Sequence, residues 1–255
     1  MKINPLKGMV FSALFAAFTA AIASIKIPLG FTPVPITLQT LAVLLSGAVL
    51  GPYYGALAMI LYLLAGAIGL PVFAGGSGGI ASILGPTGGY LLSYPVAAFV
   101  IGWLVNAKKS KAINYTSLAI LAILLGIIYV DLFSGIGIMK KYDGVSKSYV
   151  GITSSMQFST RITIGIISLA IIAGLIAGAY YLTKKNILPI NAIIPMIVGS
   201  IIIYIGGSIQ GKLVTGAPWE IIFAGWVLPF LIGDTLKLLV AAYLSRALNI
   251  EKKTL

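Results

Sequence analysis

The run AGWVLPFLIGDTLKLLVAAYLSRAL, residues 224–248, decides the class of fold. It is longer than the roughly 20 predominantly apolar residues that a helix needs to cross the hydrocarbon core of a bilayer. An acid and a base, Asp234 and Lys237, nevertheless lie near its middle. Ionisable side chains are costly inside a membrane span and are usually functional there. The run therefore predicts a spanning helix that carries part of a binding site.

The composition of the whole chain also indicates a membrane protein. Its 255 residues are 59% hydrophobic and 9% charged, with a mean hydropathy of +1.07, whereas a soluble domain is roughly a quarter charged. The absence of Cys and His excludes disulfides, cysteine nucleophiles and the usual zinc and iron sites. With only five acidic residues as well, we expect no enzyme, no metal and no cofactor.

Apolar runs of spanning length occur along the whole chain, so we predict an all-α polytopic protein of the cell membrane with about eight spans. The basic residues lie in short clusters between these runs and not along one stripe, which argues against a nucleic-acid partner. Ten of them fall on the side of both termini and six on the other, so we expect both termini in the cytoplasm. The predicted spans are 6–24, 36–50, 54–70, 88–103, 113–133, 162–182, 193–209 and 224–248.

A glycine-rich segment, GAIGLPVFAGGSGGIASILGPTGG, residues 66–89, follows the third span and is called the glycine loop below. Such a sequence is a poor helix interior, and irregular backbone at membrane depth survives only against protein or a water-filled cavity. We expect the loop to fold back and line a cavity, where its amides can approach a ligand. A flexible extracellular connector is the alternative. The chain has no G-x-x-x-x-G-K-[ST] motif, so nucleotide hydrolysis would need another polypeptide.

Asp234 and Lys237 are three residues apart, so on a helix they share one face. In the functional interpretation, the two residues bind a ligand at a point where Pro229 and Gly233 bend the helix and water can enter. The alternative is a mutual ion pair that only holds helices together. Both interpretations stay open on the sequence alone.

The first connection, KIPLGFTPVPITLQTL, residues 26–41, has three prolines within eight residues and cannot be helical through Pro35. We predict that this connection is a stiff lid entering the second span, and residues 26–37 are called the proline lid below. Gln39 then lies one turn into the second span, where its amide can serve a polar heterocycle or bridge two helices. In the first span, alanines recur every three or four residues, and such a stripe permits close helix packing within the chain or with another subunit.

Four segments together resemble a known family: PITLQTLAVLLSGAVLGPYYGAL (35–57), LYLLAGAIGLPVFAGGSGG (61–79), LGPTGGYLLSYP (84–95) and VLPFLIGDTLKLLVAA (227–242). They are similar to BioY, the biotin-specific substrate-binding component of energy-coupling factor transporters. The resemblance covers about 8–105 and 193–248. It implies a six-helix core with cytoplasmic termini and a substrate held near the outer face, under the first loop and the loop between the third and fourth helices.

The resemblance also implies roles for individual residues. Asp234 resembles the family's buried carboxylate, which accepts hydrogen bonds from the ureido ring, and Lys237 resembles its polar partner. The motifs that line the family's pocket are matched by Gln39, Gly75, Gly76, Ser77, Thr87 and Tyr90. The stripe of Ala13, Ala17 and Ala21 resembles the surface that docks on a transmembrane coupling subunit, which works with two ATPases.

Biotin has an apolar bicycle with a urea at one end and a carboxylate at the other. An ionised Asp suits the two urea N–H groups. For the carboxylate we expect main-chain amides of the glycine loop, with a Lys as the alternative. Biotin and membrane lipid are thus the expected small-molecule partners.

This chain departs from the family pattern over about residues 108–192, where two extra apolar runs and a Lys- and Ser-rich loop are inserted. We treat residues 1–255 as one transmembrane domain with this insertion. The expected function is high-affinity capture of biotin on the outer face, with import driven by partner ATPases. The alternative is a self-sufficient, proton-coupled carrier of biotin or a similar molecule that uses Asp234 and Lys237.

Overall fold

The computed structural model describes residues 4–30, 32–106, 140–143, 148–151 and 190–254, together with single positions between 157 and 181. Within these residues, five helices are long and apolar enough to cross a membrane. Their inward-facing side chains share a hydrophobic core. The structure therefore agrees with a helical polytopic fold.

Helix α1 spans Pro5–Ala23. The preceding residue, Asn4, caps its start, because the Asn4 side chain accepts a hydrogen bond from the backbone N–H of Leu6 at 3.0 Å. Its buried face consists of small residues, among them Gly8 and Ser12. The Ser12 hydroxyl lies 2.9 Å from the Tyr54 carbonyl oxygen, to which it donates. The small residues let α1 approach the next helix closely. Membrane helices depend on such close packing, because no hydrophobic effect drives them together in lipid.

The proline lid contains a short β-hairpin, which the all-α prediction did not include. Strand β1 (Lys26–Ile27) pairs antiparallel with β2 (Ile36–Thr37), so that Lys26 lies opposite Thr37. Prolines prevent a helix here, and backbone groups close to the membrane still need hydrogen-bond partners. Two extended strands provide them.

Helix α2 spans Gln39–Ala67 but breaks at Gly51, where φ is 79° and ψ is −175°. A Cβ added at Gly55 would lie only 2.9 Å from the Cα of Gly47, although eight residues of straight helix rise about 12 Å. The two segments, 39–50 and 52–67, thus fold back on each other. They correspond to the second and third predicted spans, joined by a glycine instead of a loop.

The glycine loop includes one short helix, α3 (Ile80–Leu84), and leads into α4 (Gly88–Asn106). Helix α4 packs closely on α5 (Ile190–Thr215). A Cβ at Gly89 would lie 2.1 Å from the carbonyl oxygen of Gly206, so glycine is required at this crossing. Small residues at a crossing are the expected means of bringing membrane helices together.

The last predicted span, 224–248, is not one helix. Helix α6 (Trp219–Trp226) ends before Val227, a 3-10 turn covers Leu228–Phe230, and α7 runs from Leu231 to Thr254. Pro229 explains the break, because proline cannot continue the hydrogen-bond ladder of the preceding turn. Asp234 consequently lies in the first turn of α7.

Part of the insertion is described. Strand β3 (Lys140–Asp143) pairs antiparallel with β4 (Ser148–Gly151), where the sequence predicted a polar loop, and β3 lies next to α6. The predicted spans at 113–133 and 162–182 lie outside the described residues, apart from single positions in the second. Eight spans thus stay a prediction.

The two ends of the bundle differ in what they carry. The last residue of α1 lies at the end that carries the glycine loop, since the Gly75 amide donates to the Ala23 carbonyl at 3.0 Å. The first turn of α7 lies at the same end, where Asp234 contacts Thr40 at the start of α2. Both described termini therefore point to the opposite end. The compartment that this end faces stays a prediction from the basic residues.

Candidate functional site

A cavity of about 260 Å³ lies at the end of the bundle that carries the proline lid and the glycine loop. Its walls are mostly apolar and aromatic, with a few polar groups, which is typical of sites for small organic ligands. Both loops that the sequence predicted to surround a cavity contribute to its lining. The lid supplies Val34, Pro35 and Thr37, and the glycine loop supplies among others Phe73, Ser77 and Ser82.

The Asp234 carboxylate is the charged acceptor of this cavity, and Asp234 as a whole residue is 8% exposed. The Lys237 ammonium donates to its Oδ1 at 2.6 Å, and the Thr40 hydroxyl donates to the same oxygen at 3.2 Å. The Tyr204 hydroxyl donates to Oδ2 at 2.5 Å. The start of α7 adds the positive end of a helix dipole, which also favours a carboxylate. A buried charge is tolerable because it has these partners.

The ion pair of Asp234 and Lys237 exists, but both residues belong to α7, three positions apart. It therefore does not join two helices, as the alternative interpretation of the pair required. The contacts that do cross helices come from Thr40 on α2 and Tyr204 on α5. Both members of the pair also line the cavity. The ion pair therefore stands in the cavity wall, and its role in binding a ligand stays a prediction.

Gln39 lines the cavity and bridges helices as well. Its Nε2 donates to the Tyr62 hydroxyl oxygen at 2.5 Å, and its Oε1 accepts from Thr37 at 3.1 Å and from Tyr94 at 3.3 Å. The Tyr62 hydroxyl in turn donates to the Val72 carbonyl in the glycine loop at 3.0 Å. The amide thus connects the lid, α2, α4 and the glycine loop, and its second Nε2 hydrogen has no acceptor among the residues that the structure describes.

The structure separates the predicted glycine-loop residues. Ser77 lines the cavity, but Gly75 and Gly76 do not. Both glycines adopt positive φ, 67° and 77°, and their amides donate to the carbonyls of Ala23 and Phe73 at 3.0 and 2.9 Å. Their role in the structure is to shape the loop behind the cavity wall, because only glycine adopts this conformation without strain.

Thr87 and Tyr90, at the start of α4, both line the cavity. The Tyr90 hydroxyl donates to the Trp226 carbonyl at the end of α6 at 2.6 Å, where α6 breaks. This contact satisfies a carbonyl that the helix end leaves without a partner. Of the eight residues that the sequence predicted for the site, six lie together on one cavity.

Sequence reasoning missed Thr40, Tyr94 and Tyr204, all of which line the cavity. A signal existed for Tyr94, because Tyr90 and Tyr94 are four residues apart and so share one face of a helix. Tyr204 was detectable only as a polar ring within an aliphatic run. Its contact with Asp234, thirty positions away, depends on how α5 and α7 pack.

Comparison with known proteins identifies relatives of this chain. The model of the BioY family matches residues 1–153 and 149–253. The biotin transporter BioY of Rhizobium etli is 40% identical over 151 residues, which are 54% of this chain and 81% of the relative. That of Lactococcus lactis is 38% identical over 133 residues, 51% of this chain and 70% of the relative. The probable biotin transporter BioY of Pyrococcus horikoshii is 54% identical over 90 residues, which span 54% of that relative's length.

A solved structure agrees with the fold. It is the S-component for biotin from an ECF-type ABC transporter, and it superimposes with a TM-score of 0.56 over 97% of this chain and 95% of that chain. The identity is 23%, so this likeness supports the fold alone.

The family match extends over both halves of the chain, and the spanning helices agree with it. The chain is accordingly a multi-pass protein of the cell membrane, as the sequence predicted. It belongs to the BioY family.

Proposed function

We propose that this protein is the membrane subunit that captures biotin for uptake. The observation that carries the proposal is the buried carboxylate of Asp234 in the wall of a mostly apolar cavity. Relatives named as biotin transporters support the choice of ligand. Capture occurs on the outer face, on the side of the proline lid and the glycine loop.

The chemistry of the cavity fits a cyclic urea. Two urea N–H groups are donors, and a carboxylate held in place by Lys237, Thr40 and Tyr204 is a preorganised acceptor. Hydrogen bonds to a charged group are worth about 1.5–3 kcal/mol each, more than bonds between neutral groups. Apolar and aromatic lining, including Phe73, Leu91 and Phe230, suits the rest of the bicycle.

We propose further that the protein docks on a transmembrane coupling subunit, which works with two ATPases that drive import. The predicted docking residues Ala13, Ala17 and Ala21 are exposed on α1, whereas the buried face of α1 uses Gly8 and Ser12. The alanine stripe is thus available to another helix. The large exposed apolar side chains on the outside of the bundle suit contact with lipid acyl chains.

Equilibrium binding of biotin to the purified protein tests the ligand. Asp234→Asn keeps the shape of the side chain but removes its charge and turns a donor toward the urea, so affinity should fall by about 1.5–3 kcal/mol, roughly 10- to 150-fold. Asp234→Ala should cost at least as much. Unchanged affinity in both variants would refute the proposed site.

Uptake into cells that lack the coupling ATPases tests how transport is driven. We expect binding without accumulation, because the sequence has no G-x-x-x-x-G-K-[ST] motif with which to bind a nucleotide. Accumulation under these conditions that depends on the proton gradient would instead favour the self-sufficient carrier, with Asp234 as the group that takes up the proton.

A further inference from the structure

We infer that Lys26 binds the carboxylate of the ligand's side chain, at the rim of the cavity between strand β1 and the glycine loop. This inference deepens the proposed function and rests on it. With the urea held at Asp234, the ligand's tail ends in a negative charge that needs a cation or amide donors. The described residues leave few groups for that task.

Three of the four glycine amides between residues 75 and 79 are already used. Those of Gly75, Gly76 and Gly79 donate to the carbonyls of Ala23, Phe73 and Gly66 at 3.0, 2.9 and 2.7 Å. Each amide carries a single hydrogen. A carboxylate could recruit them only by breaking bonds that fix the loop on α1 and α2, so the predicted amide cradle for the tail is incomplete.

The lysine inside the cavity is engaged as well. The Lys237 ammonium lies 2.6 Å from Asp234 Oδ1, and both side chains are about 10% exposed. Moving this lysine to a second carboxylate would leave Asp234 with an uncompensated buried charge, at a cost of several kcal/mol. Lys237 thus belongs to the urea end of the site.

Lys26 has the required position and freedom. Its backbone pairs with that of Thr37, which lines the cavity. Its side chain lies against Gly75, and two residues close to Gly75 in the sequence, Ala74 and Ser77, also line the cavity. A Cβ added at Gly75 would lie 2.6 Å from the Lys26 Nζ. The ammonium has no hydrogen-bond or carboxylate partner within the part of the chain that the structure describes, so it is free to bind an anion. Its exposed position lets a tail reach it without burying either charge.

The experiment compares biotin with biotin amide, whose tail has the same length but no charge. Wild-type protein should bind the acid more tightly, and Lys26→Ala should remove this preference by lowering biotin affinity about 1.5- to 5-fold, the range of an exposed ion pair. Biotin amide should bind the variant as it binds wild type. Lys26→Arg should restore the preference, and Lys26→Glu should reverse it by repulsion.

Lys212→Ala is the matched control. Lys212 lies near the same end of the bundle, but its ammonium already has partners, since it donates to the Ala217 carbonyl at 2.9 Å and faces the Trp219 ring. We expect this variant to keep the preference for the acid.

Salt should weaken the binding of biotin to wild type more than that of the amide, because the Debye length falls from about 30 Å at 0.01 M to about 3 Å at 1 M.

Two results would overturn the inference. In one, Lys26→Ala retains the full preference for the acid, which places the tail elsewhere. In the other, Lys26→Ala weakens the acid and the amide equally, which makes Lys26 a packing residue of the loop. Failure of the proposed function looks different: in that case wild type does not bind biotin, or Asp234→Asn binds both compounds like wild type.

Discussion

At the residue scale, the site depends on how one carboxylate is held. Asp234 receives hydrogen bonds from α7 itself, from α2 and from α5, through Lys237, Thr40 and Tyr204. Donors from three helices fix the direction of the carboxylate before a ligand arrives. Such preorganisation lowers the cost of ordering a site on binding.

Tyr204→Phe tests this positioning. The substitution keeps the ring in the cavity wall and removes only the hydroxyl that donates to Asp234 Oδ2. We expect biotin affinity to fall roughly tenfold, which corresponds to about 1.4 kcal/mol, near the lower limit for a hydrogen bond to a charged group.

Tyr243→Phe provides the control, because Tyr243 is half exposed on α7 and belongs neither to the wall of this cavity nor to the hydrophobic core. Its affinity should equal that of wild type. If Tyr204→Phe also binds like wild type, the orientation of Asp234 does not depend on α5, and the argument from three helices is wrong.

The sequence predicted the chemical groups of the site better than their partners. Asp234, Lys237 and Gln39 were identifiable because polar groups are expensive inside apolar runs. Tyr204 and Thr40 were not, because their roles arise from contacts that cross helices. Gly75 and Gly76 fit the family motif, yet the structure uses them to turn the loop.

At the element scale, the glycine loop is held to α2 by close packing. The Tyr62 and Phe73 rings meet edge to face with centroids 5.5 Å apart. A Cβ at Gly66 would lie 2.0 Å from the Phe73 ring. Phe73 is buried and lines the cavity, so the loop cannot shift without changing the site.

Gly66→Ala should therefore destabilise the protein by about 1–3 kcal/mol, the usual range for overpacking, and weaken biotin binding at the same time. Thermal unfolding in detergent and a binding titration measure the two effects. Gly30→Ala is the control, because a Cβ at Gly30 has no neighbour within 4 Å. A Gly66 variant as stable as the Gly30 variant would contradict the packing described here.

Element boundaries were predictable where glycine or proline interrupts an apolar run, but their geometry was not. Two separate spans are predicted at 36–50 and 54–70, and the structure joins them through a reversal at Gly51 within α2. Pro229 was expected to bend one helix, and instead the chain leaves α6, makes a 3-10 turn and begins α7. Hydropathy reports the depth of a residue in the membrane, not the direction of its helix.

At the scale of the whole molecule, the proposed capture of biotin and the proposed docking on a coupling subunit use different surfaces. The cavity lies at one end of the bundle, and the alanine stripe of Ala13, Ala17 and Ala21 faces outward along α1. Ligand binding and docking should therefore be separable by substitution.

Ala17→Trp should block docking by filling a surface that needs small residues for close helix approach. Because Ala17 is exposed, biotin affinity of the purified variant should stay within twofold of wild type, roughly the ±0.5 kcal/mol of a surface substitution. Uptake in cells that contain the coupling subunits should fall to background.

Val96→Trp on α4 is the matched control, since Val96 is also exposed on an apolar helix. It should keep both binding and uptake. Normal uptake with Ala17→Trp, or an equal loss with Val96→Trp, would show that this stripe is not the docking surface.

The overall architecture was predictable because it depends on apolar runs that recur along the chain. Among the described residues, five spanning helices, one of which folds back on itself, pack around a shared core and a cavity. The insertion was recognisable as a departure, and the hairpin of β3 and β4 beside α6 could not be derived from its polar composition. Strand pairing there depends on contacts with the rest of the molecule.

The central claim, that Asp234 binds the ureido ring, is tested most directly by a double-mutant cycle between the protein and its ligand. Affinities of wild type and Asp234→Asn are measured for biotin and for a biotin derivative with one ring nitrogen methylated. If the carboxylate accepts the ring N–H groups, wild type prefers biotin and the variant loses most of that preference, with a coupling of about 1 kcal/mol or more. Equal preference in both proteins would contradict the account.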